Sequence, residues 1–145
     1  MIGAGPQGIA VPEVVNCIRS LEGYVERHGV RLVRSSLPAT VHGRMRRGVI
    51  VLRRGLHPEQ ELSTLVHELA HWLAHQDLAG YDTCTVLEYE AEAVEALVMG
   101  RLGFAHPTEC PTDDLLSASV HRVKWASARI CDALGMPMEA PFSEA

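Results

Sequence analysis

His67 and His71 stand four residues apart with Glu68 between them, in the run Leu65-Val66-His67-Glu68-Leu69-Ala70-His71-Trp72-Leu73. On an α-helix, residues four apart lie one above the other on a single face, so the two imidazoles of an H-E-x-x-H run can share one metal ion. Zinc accepts neutral imidazole and carboxylate ligands, and a catalytic site combines three protein ligands with a fourth position for water. The motif supplies two of those ligands, and Glu68 is the residue placed to take a proton from the activated water. Mn²⁺ or Fe²⁺ would suit the same donors, because two imidazoles and a carboxylate discriminate weakly among divalent ions. The flanking residues are strongly apolar, so the three polar side chains enter a half-buried surface, where leaving them unpaired is costly. A shared metal removes that cost.

The third ligand must come from elsewhere. The longer H-E-x-x-H-x-x-G-x-x-H form fails, since Ala74 stands at the glycine position and Asp77 at the third histidine. His75 is displaced from the His67/His71 pair, and Cys84 is a competitor because thiolate is a good zinc ligand. The stronger source is the run Val86-Leu87-Glu88-Tyr89-Glu90-Ala91-Glu92-Ala93-Val94-Glu95. Glu88, Glu92 and Glu95 share one face by i, i+4 and i+7 spacing, and like charges stacked in this way repel unless solvated or bridged by a cation. Glu88 is the first choice as ligand, with Glu92 orienting a ligating histidine from behind; Glu92 as the ligand itself is the alternative. Tyr81, Tyr89 and His121 have the chemistry to donate a hydrogen bond to an oxyanion, with Tyr81 the first candidate.

The elements that must position these residues are readable from periodicity. Val14, Val15, Ile18, Leu21, Tyr24 and Val25 are spaced three and four apart, predicting a helix from Pro12 to about His28-Gly29. Short β-branched runs at Val30 to Val33, Thr40 to Met45 and Gly48 to Leu52 predict a small three-stranded sheet, expected to be antiparallel. From Pro58 the period turns helical, with acidic residues in the first turn, and carries the histidine motif. A third helix is expected from about Val86 to Leu102, ahead of Gly103, and a fourth from about Thr112 to Leu134, ahead of Gly135. Trp72 and Trp125 are expected in the core. His42, His57, His106 and His121 lack metal spacing and read as surface or loop residues.

The chain has 145 residues, 47% hydrophobic and 21% charged, which is the composition of one globular domain over 1–145, with residues 1–10 and 138–145 as candidate loose termini. Lys and Arg number 13 against 18 Asp and Glu, a formal charge of −5, the wrong sign for a protein whose main task is to neutralise phosphates. No run approaches the ~18 apolar residues of a membrane span, and the start lacks a basic leader, so a cytoplasmic protein is expected. The cysteines, Cys17, Cys84, Cys110 and Cys131, form no C-x-x-C pair and read as free thiols.

Three stretches together resemble the ImmA/IrrE-type zinc peptidases, including the related peptidase domain of ArdC-type antirestriction proteins. They are Val41-His42-Gly43 leading to Gly48-Val49-Ile50-Val51-Leu52, Leu65 to His71, and Glu88-Tyr89-Glu90-Ala91-Glu92-Ala93-Val94. The resemblance covers roughly Thr40 to Leu102. It implies an α+β, gluzincin-like domain, about three strands on about four helices, with zinc held between two of them by His67, His71 and Glu88. In the family's E-x-E-A-N pattern, Glu92 takes the asparagine's place here. Known members are regulatory proteases that cut a helix-turn-helix repressor, often encoded beside them. The alternative is a non-catalytic, zinc-containing interaction or antirestriction-like protein, and retention of Glu68 argues against it, because a structural site needs no base.

Overall fold

The computed structural model describes residues 8–75, 85–104 and 117–136. Helix α1 (Val11–Arg27) begins with Glu13 reaching back to accept the Ala10 N–H at 3.1 Å, which satisfies one of the donors a helix start leaves orphaned. It buries Val14, Ile18, Leu21 and Val25 on a single stripe. Three strands follow: β1 (Arg31–Ser35), β2 (Gly43–Arg46) and β3 (Val49–Arg53). Helices α2 (Pro58–His75), α3 (Thr85–Arg101) and α4 (Ser117–Ala133) complete an α+β arrangement.

The sheet is mixed, which corrects the antiparallel expectation. Its order is β1-β3-β2, with β1 parallel to β3 and β2 antiparallel to β3. Strand directions alternate along the chain as expected; what differs is the neighbour, since the connection after β1 carries the chain past the position β3 will occupy. The β2-β3 hairpin turns on Arg47 and Gly48, at φ of 51° and 80°. Positive φ at both central residues is the type I′ geometry whose twist matches the two strands.

Helix α2 lies at the centre of the packing, against the inner face of the sheet and against α1, α3 and α4. Leu62, Leu65, Val66, Leu69 and Ala70 are all fully buried. Each large apolar side chain so enclosed contributes about 1.5–3 kcal/mol. Gly43 brings β2 directly onto this helix: a Cβ there would lie 2.6 Å from Cγ2 of Thr64, closer than any real side chain approaches. The edge strand and the motif-bearing helix can therefore meet only because position 43 has no side chain.

Helix α4 buries Val123, Ala126, Ile130 and Cys131. Trp125 falls on the opposite face, 42% exposed, with the Arg129 guanidinium stacked 5.4 Å from its ring centre, which corrects the expectation of a core residue; Trp72 is partly buried against the core as expected. The first residues expected in α4, from Thr112, lie outside the described residues. So do 1–7 and 137–145, whereas Ile9 packs against the core. His42, His57 and His121 are exposed, as expected, and Cys17 and Cys131 are free thiols; His106, Cys84 and Cys110 lie outside the described residues. No helix among the described residues is long and apolar enough to cross a membrane.

An ion pair not anticipated from the sequence ties α3 to α4. Glu90 is 1% exposed, and Arg122 donates to it twice, from Nε at 3.1 Å and from an Nη at 2.7 Å. Arg122→Ala takes two donors from a buried carboxylate, and breaking one side of such a pair costs about 3 kcal/mol. A chemical-denaturation midpoint lowered accordingly at unchanged slope is the expected result; a loss under about 1 kcal/mol would mean that the pair is solvated in solution.

Candidate metal centre

Helix α2 presents His67 and His71 one turn apart, their rings 5.1 Å between centroids and tilted edge to face. Helix α3 runs back along this face and delivers Glu88 from its first turns. Nε2–H of His71 donates to Oε2 of Glu88 at 3.0 Å, and Nε2–H of His67 donates to Oε1 of the same carboxylate at 3.2 Å. The three ligand atoms lie within 4.8 Å of one another, and His67, His71 and Glu88 are the group among the described residues able to hold a metal ion. Tetrahedral zinc, with bonds of about 2.0–2.1 Å, separates its ligand atoms by about 3.3 Å. Two imidazole nitrogens and a carboxylate already 3.0 and 3.2 Å apart suit such an ion in donor type and in spacing.

The other nitrogen of His67 is also committed. Nδ1–H donates to Oε1 of Glu95 at 2.9 Å, and the hydroxyl of Ser63 donates to the second oxygen of Glu95. Glu95 thus occupies the orienting place expected of Glu92, which makes no hydrogen bond or ion pair with a described residue. The reason is helical angle: at 100° per residue, position i+7 returns to within about 20° of Glu88, whereas i+4 overshoots by about 40°. A second-nitrogen hydrogen bond of this kind fixes the tautomer and leaves the Nε2 lone pair to the cluster once that nitrogen loses its proton.

Electrostatics follow from the contacts. Burial alone would lower the His67 pKa, but hydrogen bonds to Glu88 and Glu95 and the charge of Glu68 outweigh it and raise the pKa to about 10. The same two imidazoles hold Glu88 well below the usual carboxylate range. Glu68 behaves oppositely. It is 7% exposed and makes no hydrogen bond or ion pair with a described residue. Burial pushes its pKa up, the nearby His67 and His71 pull it down, and Glu88 and Glu95 push it up again, for a net rise. A nearly buried carboxyl that no described residue hydrogen-bonds and that holds its proton more tightly than usual suits a proton-transfer role.

Of the remaining candidates, Tyr81 and Cys84 lie outside the described residues, as does the side chain of His75. Tyr89 is 41% exposed, and His121 is exposed on α4.

No curated protein and no solved structure matches the chain. The model of a peptidase family, the IrrE N-terminal-like domain, does match, over residues 25–140. That span runs from the last turn of α1 to beyond α4 and takes in the sheet and every residue of the cluster, so the chain belongs to the IrrE N-terminal-like family of peptidases.

Proposed function

We propose that the protein is a metal-dependent peptidase, with zinc as the first choice of ion and Mn²⁺ or Fe²⁺ as alternatives, and that it cuts a partner protein such as a helix-turn-helix repressor. The observation that carries this reading is the convergence of the His67 and His71 Nε2 atoms on the Glu88 carboxylate beside a nearly buried Glu68 that makes no hydrogen bond with a described residue. His67, His71 and Glu88 would hold the ion, and a divalent cation bound there supplies Lewis acidity that acidifies water and polarises a carbonyl.

The side chains do the rest. Glu95, braced by Ser63, holds the His67 ring in place through Nδ1–H. Glu68 accepts a proton from water as its oxygen bonds to the scissile carbonyl carbon, then returns that proton to the amide nitrogen as the C–N bond breaks. A carboxylate whose pKa is raised takes the proton from water more readily than an ordinary glutamate, and the acid so formed is placed to return it to the leaving amine. Tyr81 is the proposed donor to the developing oxyanion. A purely structural ion would leave Glu68 without a task and with the cost of its burial.

The test is hydrolysis of unfolded casein and of a purified helix-turn-helix repressor. Cleavage by the purified protein, its loss after chelation and its return with added zinc are expected. Undiminished cleavage by protein shown by mass spectrometry to be metal-free would overturn the reading.

A further inference from the structure

Between Arg27 and Pro58 the chain contains no Asp or Glu, yet seven arginines fall from position 31 to position 54, in a protein of formal charge −5. The register of the sheet sorts them. Gly43 and Met45 of β2 turn inward toward the helices, so Arg44 and Arg46 stand on the helix-free face, opposite Val51 and Val49 of β3. Arg31 of β1 is aligned with Val49 from the other side. Arg34 faces inward, where it is held by Glu22 and Glu61. Arg44 and Arg46, by contrast, are exposed and make no hydrogen bond or ion pair with a described residue.

Strand β2 is an edge, with no strand on its far side among the described residues. The two-residue hairpin sets which backbone groups it shows there. Arg46 faces Val49 across the turn, Arg44 faces Val51, and the Arg53 N–H donates to the His42 carbonyl at 2.7 Å in the same alternation. Residues 42, 44 and 46 therefore bond to β3, and the N–H and C=O groups of Gly43 and Met45 point outward. These lie against the helix that carries the candidate metal centre: Gly43 packs on Thr64, one helical turn before His67 and Glu68.

We propose that β2 pairs with an extended acidic peptide segment, whose backbone bonds Gly43 and Met45 and whose carboxylates at alternate positions meet Arg44 and Arg46. In a strand added to this edge, side chains on the helix-free face recur every second residue, at the spacing of the two arginines. The inference rests on the peptidase reading for what the segment is, namely the stretch of substrate that leads to the cut bond. A nucleic acid fits less well: residues 31–53 include no Phe, Tyr or Trp on which a base could stack, and the outward N–H and C=O groups match a peptide backbone.

The experiment uses full-length Glu68→Gln protein and fluorescence anisotropy. The probes are a labelled peptide with glutamate at every second position, its lysine counterpart, an isomer with the glutamates adjacent, and a single-stranded oligonucleotide. Exposed arginine–carboxylate pairs are individually modest, so two of them should favour the alternating-glutamate peptide over the lysine peptide by about tenfold, more at low salt. The adjacent isomer should fall between them. The double variant R44E/R46E, at exposed positions that make no ion pair with a described residue, should reverse the preference with an unchanged circular dichroism spectrum. Equal affinity for all peptides, no binding of any, or tighter binding of the oligonucleotide through the same arginines would overturn the proposal. Casein hydrolysis by the wild type separates the two readings. Cleavage without acidic preference removes the specificity and leaves the peptidase, whereas selective acidic binding without cleavage keeps the edge strand as a docking site and removes the peptidase.

Discussion

Glu68→Gln should lower peptide hydrolysis by about 10²–10⁴-fold, the usual worth of a positioned general acid–base, while metal content and fold are retained. Glutamine keeps the size and shape of the side chain but can neither accept nor return a proton. The side chain is nearly buried and makes no hydrogen bond or ion pair with a described residue, so none among them is lost with the charge. Stability even moves the other way. Because the folded-state pKa of Glu68 is raised, its contribution favours the fold below the ordinary carboxylate pKa and is lost as pH rises through the raised value. Above that raised value the ionised group weighs against the folded protein, through burial and the nearby charges of Glu88 and Glu95, and replacing it should leave the melting temperature equal or higher. Rates on casein, metal by mass spectrometry and thermal melts test the three parts. A variant with wild-type metal and near wild-type rate would remove Glu68 from the mechanism, and one that loses its metal would make Glu68 part of the ion's support.

Whatever lies within one helix was legible from the sequence, and whatever depends on how two elements cross was not. The i, i+4 histidines, the apolar stripe of α1 and the helical reach of α3 are properties of a single periodic segment. Trp125 could have been placed by the same rule, since Val123, Ala126 and Ile130 define a face that excludes it. The order of the sheet is different in kind. Alternation says which side of a strand is buried, and Arg47-Gly48 says that β2 folds back on β3, but neither says which edge β1 joins. Glu95 illustrates the same limit at the site. Its place on the Glu88 face was readable, but its meeting with His67 and Ser63 depends on α3 running antiparallel to α2 closely enough to keep contact over two turns. Glu90 falls beside Val86, Ala93, Val94 and Leu97, off the acidic face, which was readable, but Arg122, which pairs with it, is 32 residues away. Only the docking of α4 reveals why that carboxylate is buried.

Glu88→Ala should empty the metal centre, where Glu92→Ala should not. About one zinc per chain is expected in the wild type and in Glu92→Ala, and close to none in Glu88→Ala after dialysis, because two imidazoles alone leave a catalytic-type site one ligand short. Glu95→Gln should retain zinc but bind it about 10–100-fold more weakly, the cost of losing a carboxylate behind a ligating imidazole. Proton release provides an independent check. In the metal-free protein the His67 pKa is about 10, so at pH 7 the ring is protonated, and the proton on Nε2 must leave before that nitrogen can bind an ion. Calorimetric titrations in buffers of different ionisation enthalpy should therefore show about one proton released per zinc, and affinity that climbs with pH through the neutral range. The metal-free fold has the opposite dependence. The raised His67 pKa contributes stability that is complete below the ordinary histidine pKa near 6.5 and disappears as pH approaches about 10. Raising the pH should thus destabilise the chelated protein while strengthening its hold on zinc, so the melting-temperature gap between loaded and chelated protein widens from pH 6 to pH 9. A gap independent of pH would mean that His67 is neutral in the empty site and that its carboxylate contacts do not hold the proton. Zinc kept by Glu88→Ala and lost by Glu92→Ala would transfer the third ligand one turn along α3 and leave Glu88 as a surface carboxylate.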